Sequence, residues 1–379
     1  MSRHKKIRLA LIFGGRSAEH EVSLRSAQSV LKAMDSEKYD VTLIGISKSG
    51  QWLAGADPLK SLAAGDLSGL SNAALLGEPG RRELLVAAPP QPNSPMRLTA
   101  GAEFDVVFPL LHGPYGEDGT VQGLLELADL PYVGAGVLAS AVAMDKAVCK
   151  QLLRAAGLPV TDWQLVSRAA IQADAAAVAT AAAAAFAFPI FTKPCNLGSS
   201  VGVIKAHTYA ELVAALRESA RYDRRVLIEP GVNAREIEVS VLGNAAPEAS
   251  VVGEVVPVNE FYDYAAKYID EGSALLIPAP IPAETAEAAR QYAVAAFQAI
   301  DCAGLARVDF LLDRDSGRLY LNEINTLPGF TSISMYPKLW EASGLSYSDL
   351  IDRLVGLALE RQADRDQTVK SYGGRATQL

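Results

Sequence analysis

Residues 307–325 read Arg307-Val-Asp-Phe-Leu-Leu-Asp-Arg-Asp-Ser-Gly-Arg-Leu-Tyr-Leu-Asn-Glu-Ile-Asn325, the pattern of two short strands joined by a polar turn. Side chains alternate between the faces of a strand, so the apolar even positions predict one buried face. The other face carries Arg307, Asp309, Glu323 and Asn325, provided that odd residues pair with odd residues. The pattern therefore predicts a half-buried antiparallel hairpin with its polar groups on one side.

Two carboxylates and an amide oxygen converging from neighbouring strands favour a divalent-metal site, because hard oxygen ligands suit Mg²⁺. Leu311, Leu319 and Leu321 also occupy odd positions, which predicts a polar face that is partly enclosed. Enclosed carboxylates need a cation. The alternative is a solvated sheet face with a salt bridge, and we favour the metal. Arg307 could hold an anion or a developing oxyanion beside it.

A second polar segment, Lys193-Pro-Cys-Asn-Leu-Gly-Ser-Ser-Val-Gly202, lies between two predicted strands at 189–194 and 201–206. Glycines let backbone N–H groups approach phosphate oxygens, and Ser199 and Ser200 add further donors. Lys193 could neutralise phosphate charge. The chain has no Walker A pattern. The segment predicts either a phosphate-binding turn or a plain hairpin turn.

The first third of the chain alternates predicted strands at 7–13, 41–47 and 105–111 with helices at 21–34 and 120–128. Such alternation predicts βαβ units around a parallel sheet. The turn Gly14-Gly-Arg-Ser-Ala-Glu19 lacks the third glycine of a dinucleotide fingerprint, which disfavours a Rossmann oxidoreductase. Glu19 would either complement the helix dipole or bind a substrate ammonium. His112 ends a strand, where open α/β sheets bind ligands.

The remaining elements are predicted from periodicity and turn residues. The stretch 50–101 is expected to be loop with short irregular strands, and the tail 362–379 is expected to fray. Predicted helices span 139–157, 169–186, 283–299 and 347–360, and further strands span 226–229, 237–242 and 251–258.

Composition limits the function classes. The chain has 379 residues, 50% of them hydrophobic, and a net charge of −8, which argues against nucleic acid or an anionic membrane surface as partner. The apolar run 7–13 is too short for a signal peptide, and no run reaches the roughly 18 apolar residues of a spanning helix. Three widely spaced cysteines favour a reducing compartment. We therefore expect a cytoplasmic protein that acts on small molecules.

The joint order of the motifs resembles the D-alanine–D-alanine ligase family over residues 7–360, apart from the weakly marked stretch 50–101. The resemblance rests on seven segments, which are Gly14-Gly-Arg-Ser-Ala-Glu-His-Glu-Val-Ser23, His112-Gly-Pro-Tyr-Gly-Glu-Asp-Gly-Thr120, Met144-Asp-Lys146, the Lys193 segment, Tyr262-Asp-Tyr-Ala-Ala-Lys-Tyr268, Arg307-Val-Asp309 and Asn322-Glu-Ile-Asn-Thr-Leu-Pro-Gly329.

This resemblance implies an ATP-grasp fold, of mixed α/β and α+β class, with an N-terminal parallel-sheet domain. The implied parts are an N-terminal domain at 1–140 for the first D-alanine, a central ATP-grasp subdomain at 141–225, and a C-terminal subdomain at 226–379 with the metal and substrate sites. The family joins two D-alanines through a D-alanyl phosphate and serves peptidoglycan synthesis, cell wall biogenesis and cell shape. Relatives are commonly homodimers.

The resemblance also implies a role for each site residue. ATP would contact Lys146, Lys193, Glu229, Pro230, Val232, Glu236, Lys267, Asn322 and Glu323. Two Mg²⁺ (or Mn²⁺) ions would bind Asp309, Glu323 and Asn325. The first D-alanine would contact Glu19 and His112. The oxyanion would be bound by Arg307 and Gly329, and the second amino acid would contact Ser334 and Met335. Ser199 and Tyr268 would link to Glu19 and hold a loop closed.

Three interpretations remain open beside this one: another ATP-grasp carboxylate–amine ligase, a depsipeptide ligase, and a non-catalytic nucleotide-binding protein. Tyr268 favours a dipeptide product, because relatives that make a D-alanine–D-lactate ester tend to have Phe there. A non-catalytic relative would be expected to lose a metal carboxylate or the oxyanion arginine, and Arg307, Asp309 and Glu323 are all present. Ala265 and Pro230 depart from the common family pattern, so Pro230 is expected to contact adenine only through its backbone.

Overall fold

The computed structural model describes residues 5–88, 96–256 and 274–369. Within these residues, the N-terminal part forms a seven-stranded sheet in the order β6-β5-β4-β3-β2-β1-β7. Strand β1 pairs in parallel with β2 and β7, and β7 is buried along its whole length, as expected for a parallel strand covered on both faces. The strands are β1 (Ile7–Gly14), β2 (Tyr39–Ile46), β3 (Trp52–Ala54), β4 (Ser71–Ala74), β5 (Glu83–Ala87), β6 (Leu98–Glu103) and β7 (Val106–Leu111).

The helices of this part are α1 (His20–Ala33), α2 (Pro58–Ala64) and α3 (Thr120–Leu127). The turn from β1 into α1 requires glycine at position 14, which has φ +92° and where a Cβ would lie 2.2 Å from the Ile46 carbonyl oxygen. Ser23 accepts a hydrogen bond from the Gly14 N–H at 2.7 Å. This turn places Glu19 at the start of α1, beside the carboxyl ends of the parallel strands. The short helix α2 was not predicted within 50–101.

The central sheet has the order β10-β9-β11-β8. Its strands are β8 (Gln164–Ser167), β9 (Ile190–Pro194), β10 (Ile204–Ala206) and β11 (Arg225–Pro230), and α6 (Arg168–Ala185) and α7 (Tyr209–Tyr222) pack on it. The predicted β9–β10 hairpin is present. Strand β11 belongs to this sheet, although the boundary predicted at 225/226 would assign most of it to the C-terminal part.

The single helix predicted over 139–157 is instead two helices, α4 (Val137–Met144) and α5 (Lys146–Ala155). Asp145 separates them in an extended conformation, and its side chain accepts a hydrogen bond from the Val148 N–H at 3.1 Å. Aspartate favours such an N-cap because it satisfies a backbone donor at the helix start. The break puts Lys146 at the first position of α5.

The C-terminal sheet has the order β14-β13-β12-β15-β16 within the described residues. Its strands are β12 (Ala234–Gly243), β13 (Glu248–Val256), β14 (Ala274–Leu276), β15 (Gly304–Asp313) and β16 (Leu319–Asn325), and its helices are α8 (Ala283–Ala299), α9 (Met335–Ala342) and α10 (Tyr347–Arg365). Every pairing in it is antiparallel.

The hairpin β15–β16 confirms the predicted odd-to-odd pairing where the polar groups lie. Arg307 pairs with Asn325 and Asp309 with Glu323, but the register then shifts by one residue. Because of this bulge, Leu319 and Leu321 lie in the apolar core. The prediction that these two leucines lie on the polar face was therefore wrong, since an extra residue reverses the alternation.

The C-terminal helix ties the first and last parts of the chain together. Residues of β1, β7, α1, α9 and α10 share one apolar core, so the first and last parts of the chain pack directly against each other. The tail was predicted to fray from residue 362, yet α10 continues to Arg365. Its buried Gln362 donates to Asp129, and Arg361 donates to the backbone carbonyl of Tyr132. In the part of the chain that the structure describes, no helix is both long and apolar enough to cross a membrane.

Candidate active site

A cavity of about 900 Å³ lies where the three sheets meet. Its walls come from α1, the turn after β7, the turn after β9, the polar face of β15–β16 and the segment leading into α9. The cavity brings together many of the residues predicted from the sequence, namely Glu19, His112, Lys146, Ser199, Arg307, Glu323, Asn325, Gly329, Ser334 and Met335.

The serine-rich turn after β9 closes against the start of α1. Ser199 and Ser200 have φ values of 50° and 58°, a left-handed conformation that few non-glycine residues adopt. Ser199 Oγ donates to Glu19 Oε1. Lys146 Nζ donates to the Leu197 carbonyl at 2.6 Å. The turn is thus held by the N-terminal helix on one side and by α5 on the other.

Arg307 is held by two carboxylates on the polar face of the C-terminal sheet. Its Nε lies 2.7 Å from Asp309 Oδ1 and its Nη2 lies 2.6 Å from Asp309 Oδ2. Its Nε is also 3.0 Å from Glu238 Oε2. Burial lowers the pKa of Arg307, but the two carboxylates outweigh it and raise the pKa well above its ordinary value. The guanidinium is therefore a fixed positive charge in the cavity wall.

The predicted metal ligands lie together, and their chemistry fits a hard divalent cation. Asp309 pairs directly with Glu323, and Glu323 and Asn325 line the cavity while Asp309 lies behind Arg307. Asn325 Oδ1 accepts from the Leu327 N–H at 2.9 Å, and a second lone pair remains on that oxygen. Among the described residues, no group of three or more His, Cys, Asp or Glu side chains could hold a metal. The predicted set has only two carboxylates, so phosphate oxygens or water would have to supply further ligands.

A buried ion-pair network lies behind the cavity. Glu229 Oε1 is 2.5 Å from Lys150 Nζ and accepts from the Thr161 hydroxyl at 2.7 Å, while Glu229 Oε2 is 2.6 Å from Lys193 Nζ. Burial opposes ionisation of Glu229, but the two lysines outweigh it and lower the pKa of Glu229 to about 2. The family resemblance implies that Glu229 contacts ATP; in the structure both of its oxygens already have protein partners.

Changing Lys150 to methionine is expected to lower the free energy of unfolding by about 3 to 5 kcal/mol, because Glu229 would be left buried with one cation fewer. Urea denaturation at pH 7 measures the change. The exposed Lys60→Met on α2 is the matched control and should change stability by less than about 0.5 kcal/mol. A Lys150→Met protein as stable as wild type would show that the network is not stabilising. The ionised Glu229 adds stability above its ordinary pKa of 4.5, and this contribution is lost as pH falls towards 2.

A hydrogen-bond chain holds the backbone on both sides of Gly329. His112 Nδ1 lies 3.0 Å from the Leu327 carbonyl, so it donates there, and His112 Nε2 accepts from Ser26 Oγ at 3.2 Å. Ser26 Oγ in turn accepts from the Phe330 N–H at 3.2 Å. Burial lowers the pKa of His112, which favours the neutral ring that this chain requires. Both ring nitrogens are thus bonded to protein groups.

Not every predicted residue can be placed in the wall of this cavity. Lys267 and Tyr268 fall in a segment outside the described residues. Pro230 and Val232 line a separate depression beside Thr161 and Tyr320. Lys193 lies against Asn322, with Nζ 3.4 Å from Oδ1, and Glu236 lies on β12 opposite Val255 and Leu311. Their predicted roles in binding ATP remain predictions.

Sequence reasoning missed four residues that the structure brings into or against the site. Glu117 and Glu238 line the cavity, Ser26 supports the Gly329 backbone, and Lys150 pairs with Glu229. A local signal existed for Glu117, which closely follows the strand that ends at His112. The other three are set by long-range contacts that no local pattern reveals.

Comparisons with known proteins agree over nearly the whole chain. A family model described as D-ala D-ala ligase N-terminus matches residues 8–135, and one described as D-ala D-ala ligase C-terminus matches residues 152–356. The D-alanine–D-alanine ligase of Thermoanaerobacter sp. (strain X514) is 50% identical over 362 residues, covering 95% of this chain and 99% of the relative.

Solved structures give the same result. The D-alanine-D-alanine ligase from Coxiella burnetii superposes with a TM-score of 0.80 at 36% identity, over 96% of both chains. The VanG D-Ala:D-Ser ligase from Enterococcus faecalis superposes with a TM-score of 0.81 at 34% identity, over 93% of this chain and 100% of that one. The fold similarity therefore includes relatives whose second amino acids differ.

Proposed function

The chain belongs to the D-alanine–D-alanine ligase family, and on that premise we propose that it joins two D-alanines into D-alanyl-D-alanine. It is an ATP-dependent, ADP-forming ligase of the ATP-grasp type, and its product serves peptidoglycan precursor synthesis, cell wall biogenesis and cell shape. The observation that carries the proposal is that Glu19, Arg307, Gly329 and Ser334 line one shared cavity.

The chemistry follows from the poor reactivity of a carboxylate towards an amine, because the leaving group would be oxide. Transfer of the ATP γ-phosphoryl group to the first D-alanine gives D-alanyl phosphate and ADP. The amine of the second D-alanine then attacks the acyl carbon, and phosphate leaves with the C–O bond electrons. The protein contributes mainly positioning and electrostatic stabilisation to such a reaction.

Each wall of the cavity supports one step of this reaction. Glu19 binds the ammonium group of the first D-alanine through its carboxylate, which is buried at the start of α1 and lines the cavity. Arg307 and the Gly329 N–H stabilise the oxyanion of the tetrahedral intermediate. Ser334 precedes α9 and Met335 begins it, and the backbone N–H groups in the first turn of a helix favour the carboxylate of the second amino acid.

The nucleotide and metal roles are also proposals. Lys146 and Lys193 neutralise the ATP phosphates, and Pro230, Val232, Glu236, Lys267 and Asn322 contribute the rest of the nucleotide site with Glu229. Asp309, Glu323 and Asn325 hold two Mg²⁺ (or Mn²⁺) ions, which supply positive charge against the phosphates. Ser199 and Tyr268 link to Glu19, so that water is kept from the acyl phosphate.

We further propose that the protein acts in the cytoplasm as a homodimer, with small-molecule substrates and neither nucleic acid nor membrane as partner. The net charge of −8 supports the absence of polyanionic partners. Three cysteines that are buried and unpaired support a reducing compartment.

Phosphate release from ATP and Mg²⁺ tests the function, with products identified by mass spectrometry. The amino acid is supplied as D-alanine, as L-alanine, or as D-alanine mixed with D-serine or D-lactate. Release with D-alanine alone, together with D-alanyl-D-alanine, is the expected result. No turnover with D-alanine in a protein that binds ATP would reject the proposal, and a mixed product formed in preference to the dipeptide would reassign the second substrate.

Ser26→Ala is expected to lower kcat about 10-fold while KM for ATP changes less than twofold. The Phe330 N–H and His112 Nε2 would each lose a partner, and the oxyanion backbone would be held less firmly; small misplacements cost rate. Steady-state phosphate release measures both constants. Ser61→Ala, on α2 away from the cavity, is the control and should match wild type. An unchanged kcat in Ser26→Ala would show that the chain does not position Gly329.

A further inference from the structure

Glu117 is a buried carboxylate in the cavity wall that none of the roles above uses. It lies in the turn between β7 and α3, and it is only 9% exposed. Its Oε1 accepts from the Gly113 N–H at 3.1 Å. Its Oε2 has no hydrogen-bond partner among the described residues. An unpartnered buried carboxylate oxygen is costly, so its retention beside a cavity points to a ligand.

Glu117 and Glu19 approach the same small space. A Cβ built on Gly198 would lie 3.1 Å from Glu19 Oε2 and 3.5 Å from Glu117 Oε1. A Cβ on Gly113 would lie 2.8 Å from Glu19 Oε2. Glycine at both positions therefore leaves the two carboxylates close to each other, with no side chain between them at these points.

The electrostatics of this pair call for a cation. Burial, followed by the charge of Glu19, raises the pKa of Glu117 to about 8. The nearby Glu323 acts in the same direction and Lys146 opposes it, but Lys146 Nζ donates to the Leu197 carbonyl. With a pKa of about 8, Glu117 is mainly protonated at neutral pH when no cation is near it. A bound ammonium group would stabilise its ionised form beside Glu19 and give Oε2 a partner.

We propose that Glu117 and Glu19 together bind the ammonium group of the first amino acid. An ammonium has three N–H donors, and two carboxylates from different elements can accept from separate ones and so fix its direction. Glu19 lies at the start of α1 and Glu117 lies in the turn before α3. Because the two carboxylates come from different elements, together they would fix the orientation of the α-carbon of the bound amino acid. This inference rests on the proposed function, because the amino acid is taken to be D-alanine.

Glu117→Gln is the decisive variant because a glutamine can still accept from the Gly113 N–H through Oε1 while the negative charge is lost. The KM of the first D-alanine is expected to rise about 10- to 100-fold, the effect of losing a hydrogen bond to a charged group. The kcat and the KM for ATP should change less than threefold. Phosphate release is measured across D-alanine concentrations, with separate constants for the two amino acid sites.

Asp118→Asn is the matched control, since it removes the same charge from the neighbouring residue. Outside the cavity wall, Asp118 Oδ2 accepts from the Tyr115 N–H and Oδ1 accepts from the Thr120 N–H, and asparagine keeps one of these two acceptors. Its KM values should equal those of wild type. Thermal melting of both variants shows whether each remains folded.

Calorimetric titration of D-alanine, and separately of propionate, which lacks the ammonium, gives a readout that does not depend on turnover. Weaker D-alanine binding in Glu117→Gln with unchanged propionate binding supports the inference. If the wild-type enzyme makes the dipeptide and Glu117→Gln has the same KM for the first D-alanine, the inference is overturned while the proposed function stands. A wild-type protein that makes no dipeptide overturns the proposed function, and failure to bind D-alanine in the titration then overturns the inference as well.

Discussion

Arg307→Lys is expected to lower kcat for dipeptide formation by about 10²- to 10³-fold, the usual loss when one oxyanion donor is removed. Lysine keeps the positive charge but not the planar set of donors that binds Asp309 through two N–H groups. Its ammonium would pair with Asp309 or Glu238 and leave the oxyanion without a directed donor. The KM for ATP should change little. Single-turnover phosphate release and dipeptide formation measure the two chemical steps separately.

Arg235→Lys is a close control because Arg235 forms the same kind of two-bond contact, with Glu254, in the same sheet. That pair does not line the cavity. Both variants should lose some stability, and only Arg307→Lys should lose turnover. Equal kcat values in the two variants would remove Arg307 from the oxyanion site.

Asp309→Asn is expected to lower Mg²⁺-dependent turnover by about 10³-fold or more, because metal stabilisation of transferring phosphoryl charge is worth several kcal/mol. Asparagine keeps the shape of the side chain and removes its charge. Arg307 would also lose the carboxylate that holds it. Turnover measured as a function of Mg²⁺ concentration should show a higher metal requirement as well as a lower maximum.

Asp313→Asn is the matched control for this variant. Asp313 lies on the same strand β15 and has the same chemistry, but it bonds to Ser316 in the exposed turn. It should retain wild-type turnover and metal dependence. If Asp309→Asn kept both, Asp309 would not be a metal ligand, and Glu323 and Asn325 would have to bind the ion without it.

The proximity of Asp309 to Arg307 makes these two predictions interdependent. One carboxylate serves as the partner of the guanidinium and is also the proposed metal ligand. Residues in direct contact rarely give additive effects. The double variant Arg307→Lys/Asp309→Asn should therefore lose less activity than the product of the two single losses.

Much of the site could be predicted from sequence because the relevant patterns are local. Alternation along 307–325 placed Arg307, Asp309, Glu323 and Asn325 on one face, and the structure agrees for all four. The strand–turn–helix pattern near Gly14 placed Glu19 at a helix start. Both depend only on the spacing of neighbouring residues, which backbone geometry converts directly into direction.

What sequence alone did not determine depends on contacts between distant segments. The bulge that moves Leu319 and Leu321 into the core arises from pairing with β15 and from the core that this pairing creates. The bond from Ser199 to Glu19 joins residues 180 positions apart, and that from His112 to Leu327 joins residues 215 apart. Helix and strand periodicity carry no information about such meetings.

Glu117 shows most clearly the difference between what the local sequence determines and what the tertiary structure determines. Its place after a strand and before a helix follows from the sequence, but the sequence indicated no role for it in the site. Only the tertiary structure buries it, leaves one oxygen without a partner among the described residues and puts it beside Glu19. Local sequence thus determined which residues carry charge and which way they face within an element. Packing between the three sheets decided which of these charges meet, because burial and proximity exist only once distant elements are assembled.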